Sequence, residues 1–159
     1  MTRDGRIVLI RQERIPIRRA IWEMPSGQID TVAGVGASAV VSAKADDTSA
    51  ASETMEQVAL RELREEAGYE LAKDGELVPL GHYFSSPGFT DERGYFFLAC
   101  PVVPCMDYVR DESESILDCR AFSVPEIRRM IVENEIRDAN TLGMWARLSA
   151  RGFLSVNRR

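Results

Sequence analysis

The chain has 159 residues and a formal net charge of −5, and 45% of its residues are hydrophobic and 28% are charged. This length and composition are typical of a single folded domain with a substantial core. The acidic balance, without a basic patch interleaved with aromatic residues, argues against nucleic acid as a partner. No apolar run approaches the roughly 18 residues of a membrane-spanning helix, so we expect no membrane association.

Cysteine usage points to a reducing compartment. Cys100, Cys105 and Cys119 are odd in number and lack the close spacing of a metal site. Disulfides are typical of oxidising compartments and join cysteines in pairs. We therefore predict free thiols and a cytoplasmic protein, in agreement with the absence of a recognisable signal peptide in the sequence.

Four short apolar stretches predict β-strands, because polar or turn-forming residues bound them. In chain order they are Ile7–Ile10, Leu77–Phe84, Tyr95–Cys100 and a stretch that ends at Phe122. The first reads as a buried strand. The stretch Tyr95–Cys100 is apolar throughout, which predicts a strand buried on both faces.

Three segments predict helices. The first covers 53–67 and ends at Gly68, a residue that readily takes the left-handed conformation at a helix terminus. The second covers Val124–Glu133, with Ser123 as its N-cap and Pro125 in its first turn. The last opens within Glu135–Leu142 and ends near Gly152.

The first helix carries an unusual acidic face. At 100° per residue its apolar residues form one arc, and Glu62 and Glu66 lie together at the border of that arc. Carboxylates one turn apart repel each other, more strongly when they are partly buried. A divalent cation removes the repulsion, and Mg²⁺ prefers hard oxygen ligands. An ordinary solvated, glutamate-rich face is the alternative interpretation, and spacing alone does not decide between the two.

Three motifs resemble a known family. Glu53, followed after seven residues by Arg61-Glu62-Leu63-x-Glu65-Glu66-x-Gly68-Tyr69, resembles the second half of the Nudix box, the signature of hydrolases that split nucleoside diphosphates linked to another moiety. The segments 22–30 and 85–92 resemble the "WELPAG-x-ID" run and the "SPGF(S/T)DE" loop of the ADP-ribose pyrophosphatase branch. The resemblance implies an α/β fold, a Nudix-type α/β/α sandwich with a mixed β-sheet, in a single domain over 1–159.

The chain departs from the family in the spacing of the box. The glycine of the "WELPAG" run opens the box, so Gly27 corresponds to it, but 25 residues, 28–52, separate Gly27 from Glu53. The resemblance therefore implies an insertion at about 31–50 inside the Nudix box. A flexible loop, a lid over the site and a dimer contact are three interpretations of this insertion, and the sequence leaves them open.

The resemblance also implies a metal site and its chemistry. The main-chain carbonyl of Ser26 would bind Mg²⁺, with Mn²⁺ as the alternative ion, together with the box carboxylates Glu62 and Glu66, and Glu65 would be available to a second or third ion. Arg61 would pair with these carboxylates and orient them. A glutamate in the acidic loop before the last strand would act as the general base, with Glu114 as the first candidate and Glu112 as the second.

On the substrate side, Arg14 matches an arginine that contacts phosphate in relatives, and Glu23 matches a substrate-side glutamate. Pro87 and Gly88 would contribute through their loop. The implied reaction is hydrolysis of ADP-ribose or a related ADP-sugar, which gives AMP and a sugar phosphate. A Nudix hydrolase of another nucleotide sugar or a dinucleoside polyphosphate is the alternative. A non-catalytic nucleotide-sensing module is a third interpretation, disfavoured by the intact glutamates.

The expected partner is thus a small nucleoside diphosphate sugar. Members of this branch carry an additional N-terminal sheet that is exchanged between subunits and helps to bind adenine. The sequence begins close to the catalytic core, so both a homodimer and the adenine pocket stay open at this point.

Overall fold

The computed structural model describes residues 1–27, 53–108 and 115–154 of the chain. The predicted insertion at about 31–50 and the candidate bases Glu112 and Glu114 lie outside these ranges. The strands are β1 (Ile7–Arg14), β2 (Arg19–Glu23), β3 (Tyr69–Phe84), β4 (Arg93–Pro104) and β5 (Ile116–Phe122). The helices are α1 (Met55–Ala67), α2 (Val124–Val132) and α3 (Ala139–Ala150). No helix in these ranges has the length and apolar composition needed to cross a membrane.

The strands form two antiparallel groups. One has the order β2-β1-β5, and a 3₁₀ turn at Ile15–Ile17 joins β1 to β2. The other is the long hairpin of β3 and β4. Thr2 forms a parallel bridge with Val102 of β4, so the segment before β1 connects the two groups and both strand orientations occur.

Strand β1 lies in the central layer of the fold, because the side chains on its two faces pack against different helices. Strand side chains alternate, so Val8 and Ile10 point to one face and Leu9 points to the other. Val8 and Ile10 pack with Ala67 of α1, whereas Leu9 packs with Ile127 of α2 and with α3 side chains. Helix α1 therefore covers one face of the β1 sheet, and α2 and α3 cover the opposite face.

Local capping explains where the helices begin. The Thr54 side chain accepts a hydrogen bond from the N–H of Gln57, and the Gln57 side chain accepts one from the N–H of Thr54. This reciprocal pair satisfies two N–H groups that the first turn leaves without partners. Ser123 and Glu126 form the same arrangement at α2, as the sequence predicts for Ser123. Asp138 caps α3, which begins later than Glu135.

The hairpin of β3 and β4 differs most from the prediction. β3 begins at Tyr69 rather than Leu77, because residues 69–71 also pair with β4, and the polar residues 73–75 lie at an irregularity between the two paired stretches. The expectation that Tyr95–Cys100 is buried on both faces was wrong for one face. Phe96 and Leu98 are buried, whereas Phe97 on the other face is only half-buried.

Arg147 anchors α3 to this hairpin. Its Nη1 donates to the carbonyl of Leu80 at 2.7 Å, and its Nη2 donates to the carbonyl of His82. Gly81 lies between these two residues with φ at +98°, and a Cβ built there would lie 2.6 Å from Arg147 Nη1. The glycine thus lets the guanidinium reach main-chain oxygens at an irregularity in β3.

The end of α1 gives a stability test. Gly68 has φ 68° and ψ 30°, and a Cβ built there would lie 2.6 Å from Cδ1 of Tyr108. Gly5 has φ +78° with no heavy atom within 4 Å of its built Cβ. We expect Gly68→Ala to lower the free energy of unfolding by about 2 kcal/mol, and Gly5→Ala by about 1 kcal/mol, because only Gly68 adds a steric contact to the backbone strain. Urea denaturation of both variants measures the difference. Equal losses would contradict the steric contribution.

Candidate active site

Two carboxylates of α1 are buried one turn apart. Glu62 is 8% exposed and Glu66 is 4% exposed. Burying a charged group is costly unless it is paired or hydrogen-bonded. Nη1 of Arg61 lies 2.9 Å from Glu62 Oε1, and the N–H of Ser26 donates to Glu66 Oε2 at 2.6 Å. Each carboxylate therefore has its own compensating contact, one with a side chain and one with the main chain.

Arg61 connects three carboxylates on the flank of α1. Its Nη1 also lies 2.9 Å from Glu65 Oε2, and its Nε donates to Glu53 at 3.1 Å and 3.2 Å. Burial acts to lower the pKa of Arg61, but the hydrogen bonds to Glu65 and Glu53 and the charge of Glu62 outweigh it, so the pKa is raised. The guanidinium is a permanent cation that fixes the directions of these acidic side chains.

Gly27 brings the loop after β2 against α1. A Cβ built on Gly27 would lie 1.8 Å from Cδ of Glu62, so any larger residue would displace the carboxylate. On the other side of the loop, the N–H of Met24 donates to the hydroxyl of the buried residue Thr141 in α3 at 3.0 Å. Hydrogen bonds to α1 and to α3 thus position residues 24–27.

Arg14 and Glu23 form a two-pronged ion pair between β1 and β2. Nε of Arg14 lies 2.9 Å from Oε1 of Glu23, and Nη2 lies 2.5 Å from Oε2. The Arg14 pKa is raised first by the hydrogen bond to Glu23, against a lowering from burial, and also by the charges of Glu23, Glu66 and Asp138. The structure therefore brings Arg14 and Glu23 into the electrostatic environment of the α1 carboxylates.

The donor set of Glu62 and Glu66 fits a hard divalent cation. Glu65 binds Arg61 on the exposed flank of α1. Within the described ranges, no three His, Cys, Asp or Glu side chains converge in a metal-holding group. Glu62 and Glu66, beside the main chain of residues 26 and 27, supply the oxygen donors that Mg²⁺ prefers. Gly27 allows this close approach of main chain and carboxylate.

The loop with Pro87 and Gly88 is a turn at the surface. The N–H groups of Phe89 and Thr90 both donate to the carbonyl of Ser86, and Phe89 is 95% exposed. Pro87 and Gly88 are themselves exposed. Among the described residues, the hydrogen bonds of this loop do not connect it to Glu62 or Glu66.

The structure also reveals a feature that sequence reasoning missed. A cavity of about 180 Å³ lies between the two strand groups and reaches the α1 carboxylates at Gly27 and Glu62. Tyr83 and Asn140 line it, and neither lies in a residue pattern that predicts a binding site. Their proximity arises from tertiary packing of β3 with α3. Trp145 of α3 packs against the buried cluster around Leu9.

Comparison with known families identifies the fold. The family model described as the NUDIX domain matches residues 1–142. The chain belongs to the Nudix family. A solved structure titled "Crystal structure of ADP compounds hydrolase" superposes on this Nudix chain with a TM-score of 0.68, at 17% identity, over 94% of this chain and 70% of that one. The predicted family and the α/β fold class are therefore confirmed.

Two curated relatives are similar to this Nudix protein over 89% of its length. One is the ADP-ribose pyrophosphatase of Bacillus subtilis (strain 168), which is 26% identical over 141 residues. The other is the methanol dehydrogenase activator of Bacillus methanolicus, which is 26% identical over 142 residues. The chain spans 64% of the length of each relative.

The ion pair of Arg14 and Glu23 gives a prediction for this Nudix domain. Arg14→Met leaves the buried Glu23 carboxylate without its cation, so we expect a loss of about 2 kcal/mol in the free energy of unfolding, less than for a fully buried pair because Arg14 is partly exposed. Adding Glu23→Gln should recover about 1 kcal/mol, since the amide carries no charge. Guanidinium denaturation of the single and double variants measures both. No recovery would mean that Arg14 stabilises through its alkyl packing alone.

Proposed function

We propose that this protein hydrolyses the pyrophosphate bond of ADP-ribose or a related ADP-sugar in a Mg²⁺-dependent reaction that releases AMP and a sugar phosphate. The observation that carries this proposal is the burial of Glu62 and Glu66 one turn apart, beside the main chain of Ser26 and Gly27. The names of the ADP-ribose pyrophosphatase relative and of the solved ADP compounds hydrolase support the substrate class.

A pyrophosphate resists hydrolysis because its anionic oxygens repel a nucleophile. Catalysis therefore needs charge neutralisation and a positioned water. A Mg²⁺ ion, or Mn²⁺ in its place, would supply both by polarising phosphoryl oxygens and lowering the pKa of a bound water. Glu62, Glu66 and the carbonyl of Ser26 would hold the ion, and Glu65 would serve a further ion after releasing Arg61.

Arg14 is proposed to bind a substrate phosphate. Its pair with Glu23 uses Nε and Nη2, so the remaining N–H groups of the guanidinium are available to phosphate oxygens. The Arg14 side chain is 42% exposed, whereas that of Glu23 is 5% exposed. Glu23 thus acts as the buried support that fixes the direction of the cation.

The remaining roles follow the family resemblance. Arg61 orients the α1 carboxylates through the contacts described above. Glu114, or Glu112 as the second candidate, is proposed to accept the proton of the attacking water. Pro87 and Gly88 are proposed to contact the substrate from their surface turn. The partner is a small nucleotide sugar in the cytoplasm, and a homodimer is compatible with these assignments.

The decisive experiment combines a substrate panel with a matched pair of variants. We expect Mg²⁺-dependent release of AMP from ADP-ribose, and Glu66→Gln should lower kcat/KM at least ~100-fold, because an amide is a poor ligand for Mg²⁺. Glu56→Gln removes an exposed carboxylate from the same helix. It should change kcat/KM by less than about twofold. Chromatography of the products and thermal unfolding of each variant provide the measurements.

The panel includes ADP-ribose, ADP-glucose, a nucleotide sugar with another base, and a dinucleoside polyphosphate. Preference for either of the last two would replace the proposed substrate with the alternative class. Equal kcat/KM in Glu66→Gln and the unmodified protein would remove Glu66 from the metal site. Binding of nucleotides without turnover of any compound would favour the sensing module.

A further inference from the structure

The cavity between the two strand groups has chemistry that the metal site does not explain. Of the described residues that line it, Glu62 carries the sole ionised side chain, and no Lys or Arg side chain contributes. The Met1 ammonium also lines it and donates to the carbonyl of Ala99. A phosphate is bound by cations or several donors, so the part of the cavity away from Glu62 does not suit a phosphate. Its walls are instead formed mainly by apolar and aromatic side chains, including Met24, Phe97 and Met144.

Three polar groups in the cavity wall have no hydrogen-bond partner among the described residues. The hydroxyls of Tyr83 and Tyr95 and the amide of Asn140 form no hydrogen bond with any group in residues 1–27, 53–108 and 115–154. All three residues are half-buried. Polar groups in such positions bind water or a ligand. The Asn140 amide offers a donor and an acceptor side by side, which matches the edge of a nucleobase.

Packing holds Tyr83 in one position. Its ring stacks on Phe96, with centroids 4.4 Å apart and an interplanar angle of 16°. A Cβ built on Gly94 would lie 2.2 Å from the Tyr83 ring, so the glycine makes the space that the tyrosine occupies. Burial, followed by the charges of Asp138 and Glu92, raises the pKa of Tyr83 to about 12. The hydroxyl therefore keeps its proton at neutral pH and can donate it in a hydrogen bond.

We propose that this cavity takes the nucleobase of the substrate, with the Asn140 amide and the Tyr83 hydroxyl binding its polar edge. The inference rests on the proposed function, because it assigns the nucleobase of the proposed substrate to the cavity next to Glu62. A cavity of about 180 Å³ is smaller than the roughly 300–1,000 Å³ of drug-sized sites, so it suits one ring system rather than the whole substrate.

The base fits this space better than the sugar does. A sugar presents several hydroxyl groups, and each one that lost water without a partner would weaken binding. Most of the cavity wall is apolar and offers few such partners. A nucleobase has two apolar faces, which Phe97, Met24 and Met144 can contact, and a polar edge that needs only a few groups.

The test measures binding without turnover. Calorimetric titrations in the presence of EDTA use AMP, GMP, UMP and ribose 5-phosphate as probes. We expect at least one nucleotide to bind, and Tyr83→Phe and Asn140→Ala should each raise its Kd about five- to tenfold, as expected for the loss of one hydrogen bond. Ribose 5-phosphate binding should be unchanged in both variants. Tyr69→Phe removes the hydroxyl of another half-buried tyrosine outside the cavity and should change neither.

A cavity-filling variant distinguishes a binding site from a packing defect. Ala59 of α1 lines the cavity, and Ala59→Leu adds volume to it. We expect this variant to weaken nucleotide binding without loss of folding. A higher melting temperature with unchanged nucleotide affinity would mean that the cavity is only a void in the core, and would overturn the proposal.

Three further results would overturn the inference. The first is that Tyr83→Phe and Asn140→Ala weaken the binding of ribose 5-phosphate but not of any nucleotide. The second is that nucleotide affinity is unchanged in both variants, and the third is that no nucleotide binds at millimolar concentration. A failure of the proposed hydrolase reaction can be distinguished from a failure of the proposed base pocket. If nucleotide binding depends on Tyr83 but no compound of the substrate panel is hydrolysed, the base pocket stands and the hydrolase function does not.

Discussion

The structure depends on the accommodation of two negative charges inside the protein. Glu62 and Glu66 repel each other, and burial strengthens that repulsion. Arg61 compensates the first and the main chain at Ser26 compensates the second. These contacts explain why the loop after β2 lies directly against α1, and why a glycine occupies position 27. The two carboxylates beside the main chain of residues 26 and 27 are hard oxygen donors, which is the physical reason for proposing a divalent cation there.

The layered architecture brings the remaining site residues to the same end of the molecule. β1 forms the centre because its alternate side chains are buried against α1 and against α2 and α3. The turn from β1 to β2 pairs Arg14 with Arg19, and the Arg14 side chain reaches Glu23 at the end of β2. The end of β2 then leads straight into residues 24–27. One hairpin thus supplies the proposed phosphate contact, its buried support and the main chain at the carboxylates.

The sequence predicted the features that depend on the spacing of nearby residues, namely the faces and the ends of helices. Helical periodicity placed Glu62 and Glu66 on one face, and the capping preferences of Ser123 and Gly68 correctly marked the ends of helices. Spacing alone did not show which carboxylates Arg61 contacts, and the pairing of Arg61 with Glu62 and Glu65 was expected only from the family resemblance. The site assignments themselves stay predictions, with Glu112 and Glu114 outside the described residues.

Contacts between distant segments were beyond sequence reasoning. The approach of Gly27 to Glu62 joins segments on either side of residues 28–52. The family resemblance implied that these segments meet, but the close contact itself is seen only in the structure. The polar residues 73–75 predict a break in the strand, yet pairing with β4 carries β3 past them. The cavity needs α1, α3 and the hairpin together, and Tyr83 and Asn140 in its wall belong to no pattern that predicts a binding site.

The hydrogen bond from Met24 to Thr141 has a consequence for how this protein can change over evolutionary time. Residues 24–27 are held on one side by α1 and on the other by α3, two helices in opposite layers. A substitution that shifts the start of α3 would therefore also move the main chain beside Glu66. Helix α3 supplies neither Glu62 nor Glu66. Its sequence is nevertheless constrained by the position of these two carboxylates.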